Sequence, residues 1–150
     1  MEHKGRSRNI RVVLEILKNE VDGAVVSAFD KMTEDYSMTW MYSRGNKLFP
    51  STNKKVTQEM EEAFSIKGRK YDIRNILERD NIVMVELIES YPDMETPKKY
   101  RSPLVLIFEL EEGKVRKVRH YSDPQASFSY PSEKHIEEAF KGTPSKIIID

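Results

Sequence analysis

The sequence predicts an α+β fold in which three N-terminal helices pack on one face of a curved antiparallel β-sheet. Apolar residues recur at helical spacing in three segments that precede Tyr71. From Tyr71 to Ser122, extended segments follow one another with only turns or a polar loop between them. A doubly wound α/β fold is excluded, because it requires helices between its strands.

The N-terminal segment predicts two helices in succession. The first runs from about Ser7 to Glu20, and its apolar residues follow the i, i+3, i+4, i+7 pattern of one helical face: Ile10, Val13, Leu14 and Leu17. Asp22 is positioned to cap the second helix. Its apolar residues also share a face: Val25, Val26, Phe29 and Met32.

A strand and a third helix come next. After Thr33-Glu34-Asp35 the period becomes two, which predicts a strand with an aromatic face of Tyr36, Met38, Trp40 and Tyr42. Residues 45–53 indicate a loop. The third helix begins near Val56 and ends near Gly68.

Four strands then form a predicted meander. They span Tyr71–Arg79, Ile82–Tyr91, Tyr100–Leu110 and Lys114–Ser122. Pro131 and Ser132 begin a last short helix, and the tail Lys146–Asp150 has β character without an assigned partner. The chain is expected to form one domain over residues 1–150, with a core at about 8–128 and a C-terminal extension at 129–150.

The amino-acid composition limits the partners and cofactors that the protein is expected to bind. The 25 Lys plus Arg balance the 25 Asp plus Glu, so neither a nucleic acid nor a membrane is the expected partner. There is no cysteine, and the histidines His3, His120 and His135 lack ligand spacing, so we expect no metal and no cofactor. The first twenty residues lack the apolar core of a signal peptide, which favours a cytoplasmic location.

Over residues 8–128, the order of elements resembles the cone-shaped, cystatin-like fold of the nuclear transport factor two superfamily, in its SnoaL-like branch. The most specific part is the strand Tyr100–Leu110, the turn Glu111-Glu112-Gly113, the next strand and the ending Tyr121-Ser122-Asp123. The resemblance implies an apolar pocket between helices and sheet. It also implies a homodimer through the other face of the sheet.

The catalytic residues of this superfamily transfer only in part. The base and acid of ketosteroid isomerases correspond to Trp40 and Val105, which cannot exchange protons. The Asp-Arg-Asp set of limonene epoxide hydrolases corresponds to Leu87, Glu89 and His120, so the Arg is missing. SnoaL-type cyclases use an Asp with a nearby His, a pair that Asp123 or Glu89 could form with His120.

The residues themselves indicate candidate sites. Glu89 shares a strand face with Val83, Val85 and Leu87, so burial would raise its pKa and suit it to acid–base work. Glu86 replaces it if the strand faces the other way.

His120 is a candidate because an imidazole exchanges its proton most readily near neutral pH. Asp123 is either a base or the start of a turn before Pro124. Ser122 is too close to both on one strand to complete a triad. The predicted pocket wall consists of Tyr36, Met38, Trp40, Leu87, Tyr91, Val105 and Val118.

We therefore expect a domain that binds an apolar small molecule, with cofactor-free proton transfer of the isomerase, cyclase or hydratase type as one use of the pocket. The alternative is a non-catalytic dimerisation or protein-interaction domain. The small-molecule function requires that Trp40, Met38 and their neighbours leave space inside the cone. If these side chains fill the cone completely, the interaction domain is favoured.

Overall fold

A computed structural model describes residues 5–150; residues 1–4, which include His3, lie outside the described part. The described residues form five helices: α1 Arg8–Asp22, α2 Val25–Phe29, α3 Thr57–Phe64, α4 Pro124–Phe128 and α5 Glu133–Ala139. They also form nine strands: β1 Met32–Trp40, β2 Ser43–Arg44, β3 Lys47–Leu48, β4 Ser51–Asn53, β5 Lys70–Arg79, β6 Ile82–Pro92, β7 Lys99–Glu111, β8 Lys114–Ser122 and β9 Ile147–Ile149.

Seven strands make one sheet in the order β4-β1-β8-β7-β6-β5-β9. Strands β5 to β8 form the antiparallel meander that the sequence predicts. The sheet is not wholly antiparallel, because β1 pairs with β8 in parallel. These two strands are far apart in the chain, so no hairpin constrains their direction. The short strands β2 and β3 pair separately as a hairpin.

Register shifts bend the sheet at three places. They fall between Met32 and Ser37, between Ile73 and Asn75, and between Glu109 and Leu110. An extra residue in one strand of a pair bends that strand and increases its twist. The meander therefore curves, with one concave inner face and one outer face.

Helix α1 supplies the main apolar surface against the inner face. Its N-cap Ser7 accepts a hydrogen bond at 3.1 Å from the Ile10 N–H, and Gly23 ends it in the left-handed region at φ 72°. Four of its residues are buried in the core: Val13, Leu14, Ile16 and Leu17.

The predicted start of the second helix is wrong. Asp22 ends α1 instead of capping α2, which begins after Ala24 without a side-chain cap. Met32 begins β1 rather than ending a helix, and it is buried in the core. Tertiary contacts with the sheet outweigh the helical spacing of a short segment here.

The C-terminal extension is attached to the sheet at two points. Strand β9 pairs with the edge strand β5, in the register Tyr71 to Ile149 and Ile73 to Ile147, so the tail has a partner after all. Helix α5 buries Ile136. In the described part of the chain, no helix is both long and apolar enough to cross a membrane.

Candidate functional site

A cavity of about 770 Å³ lies between the helices and the concave face of the sheet. Its wall takes residues from α1, α3, the β2–β3 hairpin and the strands β1, β5, β6, β7 and β8. The larger apolar and aromatic side chains of the wall are Tyr36, Met38, Trp40, Met60, Phe64 and Tyr91. These side chains leave the interior of the cone open.

Four polar side chains meet on one side of the cavity, and we call Glu20, Arg69, Tyr71 and Glu89 the polar cluster. The Tyr71 hydroxyl donates a hydrogen bond to Oε2 of Glu20. Nε of Arg69 lies 3.2 Å from Oε2 of Glu89. The Arg69 Nε is buried without a hydrogen-bond partner in the described residues, so this contact is between charges and leaves the donor unsatisfied.

The backbone explains how three elements reach one point. Glu20 lies in the last turn of α1, and Tyr71 and Glu89 are register partners on β5 and β6. Gly68 has φ 75°, and a Cβ there would lie 3.0 Å from Cδ of Pro92. Glycine at this position therefore lets the chain turn sharply and bring Arg69 to the cavity at the start of β5.

Burial shifts the pKa of Glu20 and of two tyrosines on the cavity wall. It raises the pKa of the Glu20 carboxyl, an effect that the Arg69 charge and the Tyr71 hydrogen bond oppose and the Glu89 charge reinforces. Burial also raises the pKa of Tyr36 and of Tyr71, and the nearby Glu20 charge adds to it. The cavity wall thus carries two neutral tyrosine hydroxyls and, in Glu20, a carboxyl group that takes up a proton more readily than an exposed glutamate.

His120 lies on the cavity wall opposite Trp40 in the β1–β8 register. Its Nε2 is 3.0 Å from Oγ of Ser122, and the Tyr42 ring meets it edge-on at 6.2 Å between centroids. Burial lowers the pKa of His120 to about 4. The imidazole is therefore neutral near neutral pH, which corrects the expectation that its proton moves in that range.

The structure places the predicted site residues in three environments. Tyr36, Met38, Trp40, Glu89, Tyr91 and His120 lie on the cavity wall. Leu87 and Val118 are instead buried in the core. Val105 alternates with the inner residues Leu104 and Leu106, so it points to the outer face.

Glu86 also points away from the cavity. It is paired with Val105 in the register and accepts a hydrogen bond at 2.8 Å from Nδ2 of Asn75. Of the two glutamates on this strand, Glu89 is the one on the cavity wall.

Asp123 does not reach the cavity. It is exposed and caps α4, where its Oδ1 accepts a hydrogen bond at 3.0 Å from the Gln125 N–H. The expectation of an Asp–His pair with His120 is corrected for this residue, because a capping carboxylate is held by its own helix.

Sequence reasoning missed Glu20, Arg69 and Tyr71. Glu20 reads as one more charge near the end of an amphipathic helix, and Arg69 reads as part of a turn. The position that corresponds to the Arg of epoxide hydrolases, two residues from Glu89, is Leu87. The guanidinium beside Glu89 belongs instead to Arg69, the residue just before the neighbouring strand β5, and only the β5–β6 pairing reveals this.

Charged side chains of both signs surround another part of the cavity. Arg44 and Lys47 are register partners in the β2–β3 hairpin, and Glu59 and Glu62 come from α3. All four are exposed to solvent. This part of the wall has no net charge and does not select a ligand charge by itself.

Comparisons with known proteins place the fold. No protein-family model matches the sequence, and no curated protein matches it. Solved structures do match. An NTF2-like protein of unknown function from Cytophaga hutchinsonii is 16% identical with a TM-score of 0.61, and the match covers 84% of this chain and 99% of that one.

Two further matches have assigned or suggested activities. A putative SnoaL-like polyketide cyclase from Shewanella putrefaciens is 10% identical with a TM-score of 0.69, over 84% of this chain and 86% of that one. An LEH-like epoxide hydrolase from M. tuberculosis is 15% identical with a TM-score of 0.63, over 88% of this chain and 95% of that one.

The chain therefore has the nuclear transport factor two-like fold, in the form found in SnoaL-like proteins. This confirms the resemblance drawn from the order of elements and the closing hairpin. At these identities the likeness concerns the fold, and function has to be argued from the site.

Proposed function

We propose that this protein binds a small, largely apolar organic molecule in the cavity and acts on it by cofactor-free proton transfer, with Glu89 as the group that moves the proton. Isomerisation, cyclisation and hydration all fit this chemistry. The observation that carries the proposal is the Glu89 carboxylate, which is 17% exposed and lies beside the Arg69 guanidinium on a cavity wall that also carries aromatic side chains.

The cavity supports binding of an organic molecule on physical grounds. Its volume of about 770 Å³ falls in the range of small-molecule sites, which combine apolar walls with a few convergent polar groups. Trp40 and Tyr36 provide flat surfaces, and the polar cluster provides orientation. The similar structures described as a putative SnoaL-like polyketide cyclase and an LEH-like epoxide hydrolase support a small-molecule function for this fold.

Three polar residues have a role in this proposal. Glu89 accepts a proton from the ligand or from a water molecule beside it, and the Arg69 charge orients the carboxylate. His120, as a neutral imidazole bonded to Ser122, orients the ligand by hydrogen bonding and carries no charge in the reaction.

The test compares two glutamates on one strand. Glu89→Gln should abolish turnover of an accepted substrate, or change the pH dependence of ligand binding, while Glu86→Gln on the outer face should leave both as in the wild type. Binding can be followed through Trp40, the only tryptophan of the chain, which lies on the cavity wall. If Glu89→Gln and Glu86→Gln show the same turnover and the same pH dependence of binding, and His120→Ala is unaffected, the proposal is wrong.

A second candidate, non-catalytic association, is favoured by the outer face of the sheet. Met84 and Tyr121 are each 40% exposed there, and Val105 and Ile107 lie between them in the register. A homodimer through this face would cover the patch. Sedimentation of the wild type and of Met84→Asp would test it, since a dimer should dissociate in the variant. The homodimer and the cytoplasmic location expected from the sequence stay predictions.

A further inference from the structure

Four charged side chains of the cavity wall take no part in the proposed proton transfer, and we call Arg44, Lys47, Glu59 and Glu62 the charged rim. Each of them lines the cavity and is also exposed to solvent, so together they mark its mouth. In the part of the chain that the structure describes, none of the four forms an ion pair. Two positive and two negative charges therefore border one opening without being paired.

The positive charges of the rim belong to the β2–β3 hairpin. Residues that pair directly across two strands point to the same face, so Arg44 and Lys47 share the face that lines the cavity. The other register pair, Ser43 and Leu48, lies on the opposite face. Leu48 is 69% exposed there. The hairpin thus directs its basic face, and not its apolar residue, toward the cavity.

The negative charges of the rim belong to α3. Glu59 and Glu62 are three residues apart and so lie on one side of the helix. Nε2 of Gln58 donates a hydrogen bond at 3.1 Å to Oε1 of Glu62, which leaves the charge of that carboxylate uncompensated. Met60 and Phe64 of the same helix are buried in the core. Helix α3 is therefore held in place, and the hairpin is the side of the mouth that can move.

The hairpin is attached only weakly to the rest of the fold. Its two strands pair with each other and not with the seven-stranded sheet, and an isolated two-stranded hairpin is marginally stable in water. At its base, the Phe49 N–H donates to the Tyr42 carbonyl at 3.1 Å. Phe49 has φ 54°, in the left-handed region where a bulky residue is strained. A change of φ and ψ at this residue would swing the hairpin and remove the strain.

We propose that the β2–β3 hairpin is a lid, which closes the cavity when its two basic side chains pair with the two glutamates of α3. Closure would keep bulk water away from Glu89 and hold the ligand during proton transfer. This purpose rests on the proposed small-molecule function, whereas the motion itself does not depend on a ligand. Ion pairs between exposed groups are weak, so each should change the closed population only about 1.5- to fivefold and the lid can open again.

The distance between the hairpin and α3 tests the lid directly. Because the chain has no cysteine, Asn46→Cys at the hairpin tip and Glu61→Cys on α3 give two exposed sites for spin labels outside the cavity wall. Pulsed electron paramagnetic resonance of the labelled protein should show a longer and a shorter distance. The shorter one should lose population between about 0.1 M and about 1 M NaCl, since the Debye length falls from about 10 Å to about 3 Å.

Charge reversal in the labelled protein tests the pairing. Lys47→Glu and Glu59→Lys should each reduce the population of the shorter distance at least about twofold, because an attraction becomes a repulsion. The double variant Lys47→Glu/Glu59→Lys exchanges the two charges and should restore it. Lys114→Glu reverses an exposed lysine on β8 that does not line the cavity, and it should leave both distances as in the wild type.

The outcomes separate the lid from the proposed function. A single distance that neither salt nor charge reversal changes would show that the hairpin is fixed, and the lid would be wrong while the binding cavity stands. If both reversals reduce the shorter distance but the exchanged pair does not restore it, ion pairing does not close the lid and the inference is equally wrong. If the lid moves as expected and Glu89→Gln behaves like the wild type, the proposed proton transfer fails and the lid stands.

Discussion

Removal of the Arg69 charge is the perturbation that probes the polar cluster most directly. In Arg69→Met the apolar stem is kept, and Glu89 loses its counter-charge. At 3.2 Å and an effective dielectric constant of about 20, the gross attraction between the two charges is about 5 kcal/mol. Most of that is offset by the cost of taking both groups out of water.

The net effect follows from burial. The two side chains are 7% and 17% exposed, and the second faces a cavity that water can enter. Breaking a fully buried pair costs about 3–5 kcal/mol, and partial access to water reduces this. We therefore expect Arg69→Met to lower the free energy of unfolding by about 1–3 kcal/mol.

The assay is urea denaturation of Arg69→Met, Glu89→Gln and the double variant near neutral pH. The double variant should recover part of the loss, because the carboxylate that needs the guanidinium is gone, giving a coupling energy of about 1 kcal/mol or more. A loss below about 0.5 kcal/mol in Arg69→Met, or strictly additive effects, would show that the pair is too solvated to matter and refute the reasoning.

Three further predictions follow from the same cavity and from the C-terminal extension. Because the pKa of Glu20 is raised in the folded protein, Glu20 contributes stability that is full below its pKa in the unfolded chain and is lost as pH rises through its pKa in the folded protein. The variant Glu20→Gln should therefore lose less stability at high pH than the wild type, as measured by urea unfolding. The pKa of His120 is lowered to about 4, so this residue contributes stability that is full above about pH 6.5 and is lost as pH falls through the folded-state pKa. The variant His120→Gln should not show this loss of stability at low pH. A titration midpoint near pH 6.5 for His120 in the folded protein, measured by proton NMR, would contradict this prediction. Arg74 is 1% exposed, and its guanidinium donates hydrogen bonds to Asp72 at 2.8 Å, to Glu137 and to the Thr143 carbonyl at 2.9 Å. We expect Arg74→Met to lower the free energy of unfolding by about 1–3 kcal/mol and to speed proteolysis of the chain after Ser129. The control variant Arg79→Met, at an exposed position of the same strand, should do neither.

Much of the fold could be predicted because its signals are local. The spacing of Ile10, Val13, Leu14 and Leu17 specifies one helix face, and the meander follows from turns such as Asp80-Asn81 and Glu112-Gly113. Period-two alternation also places Glu89 and Tyr91 on one side of β6. Short elements could not be predicted from the sequence, because α4, β2, β3 and β4 each have too few residues to show a periodic pattern.

The residues of the candidate site could likewise be predicted where a local pattern indicates them and not elsewhere. Alternation along one strand located Glu89, and the proton exchange of an imidazole near neutral pH singled out His120. Val105 was misplaced because it was chosen by its correspondence to the acid of ketosteroid isomerases, and a shift of one position along a strand changes the face. Asp123 stayed ambiguous, because an Asp before a Pro gives the same local sequence whether it caps a helix or faces a cavity, and the structure shows that it caps α4.

The sequence by itself determined the class of fold, the meander and the strand faces, since these depend on interactions between neighbours along the chain. Only the tertiary structure decided that the cone stays open and that Glu20 from α1, Arg69 and Tyr71 from the start of β5 and Glu89 from β6 meet on its wall. The physical reason is that the charge and burial of these groups depend on one another across distant segments. No periodicity within one segment carries that information.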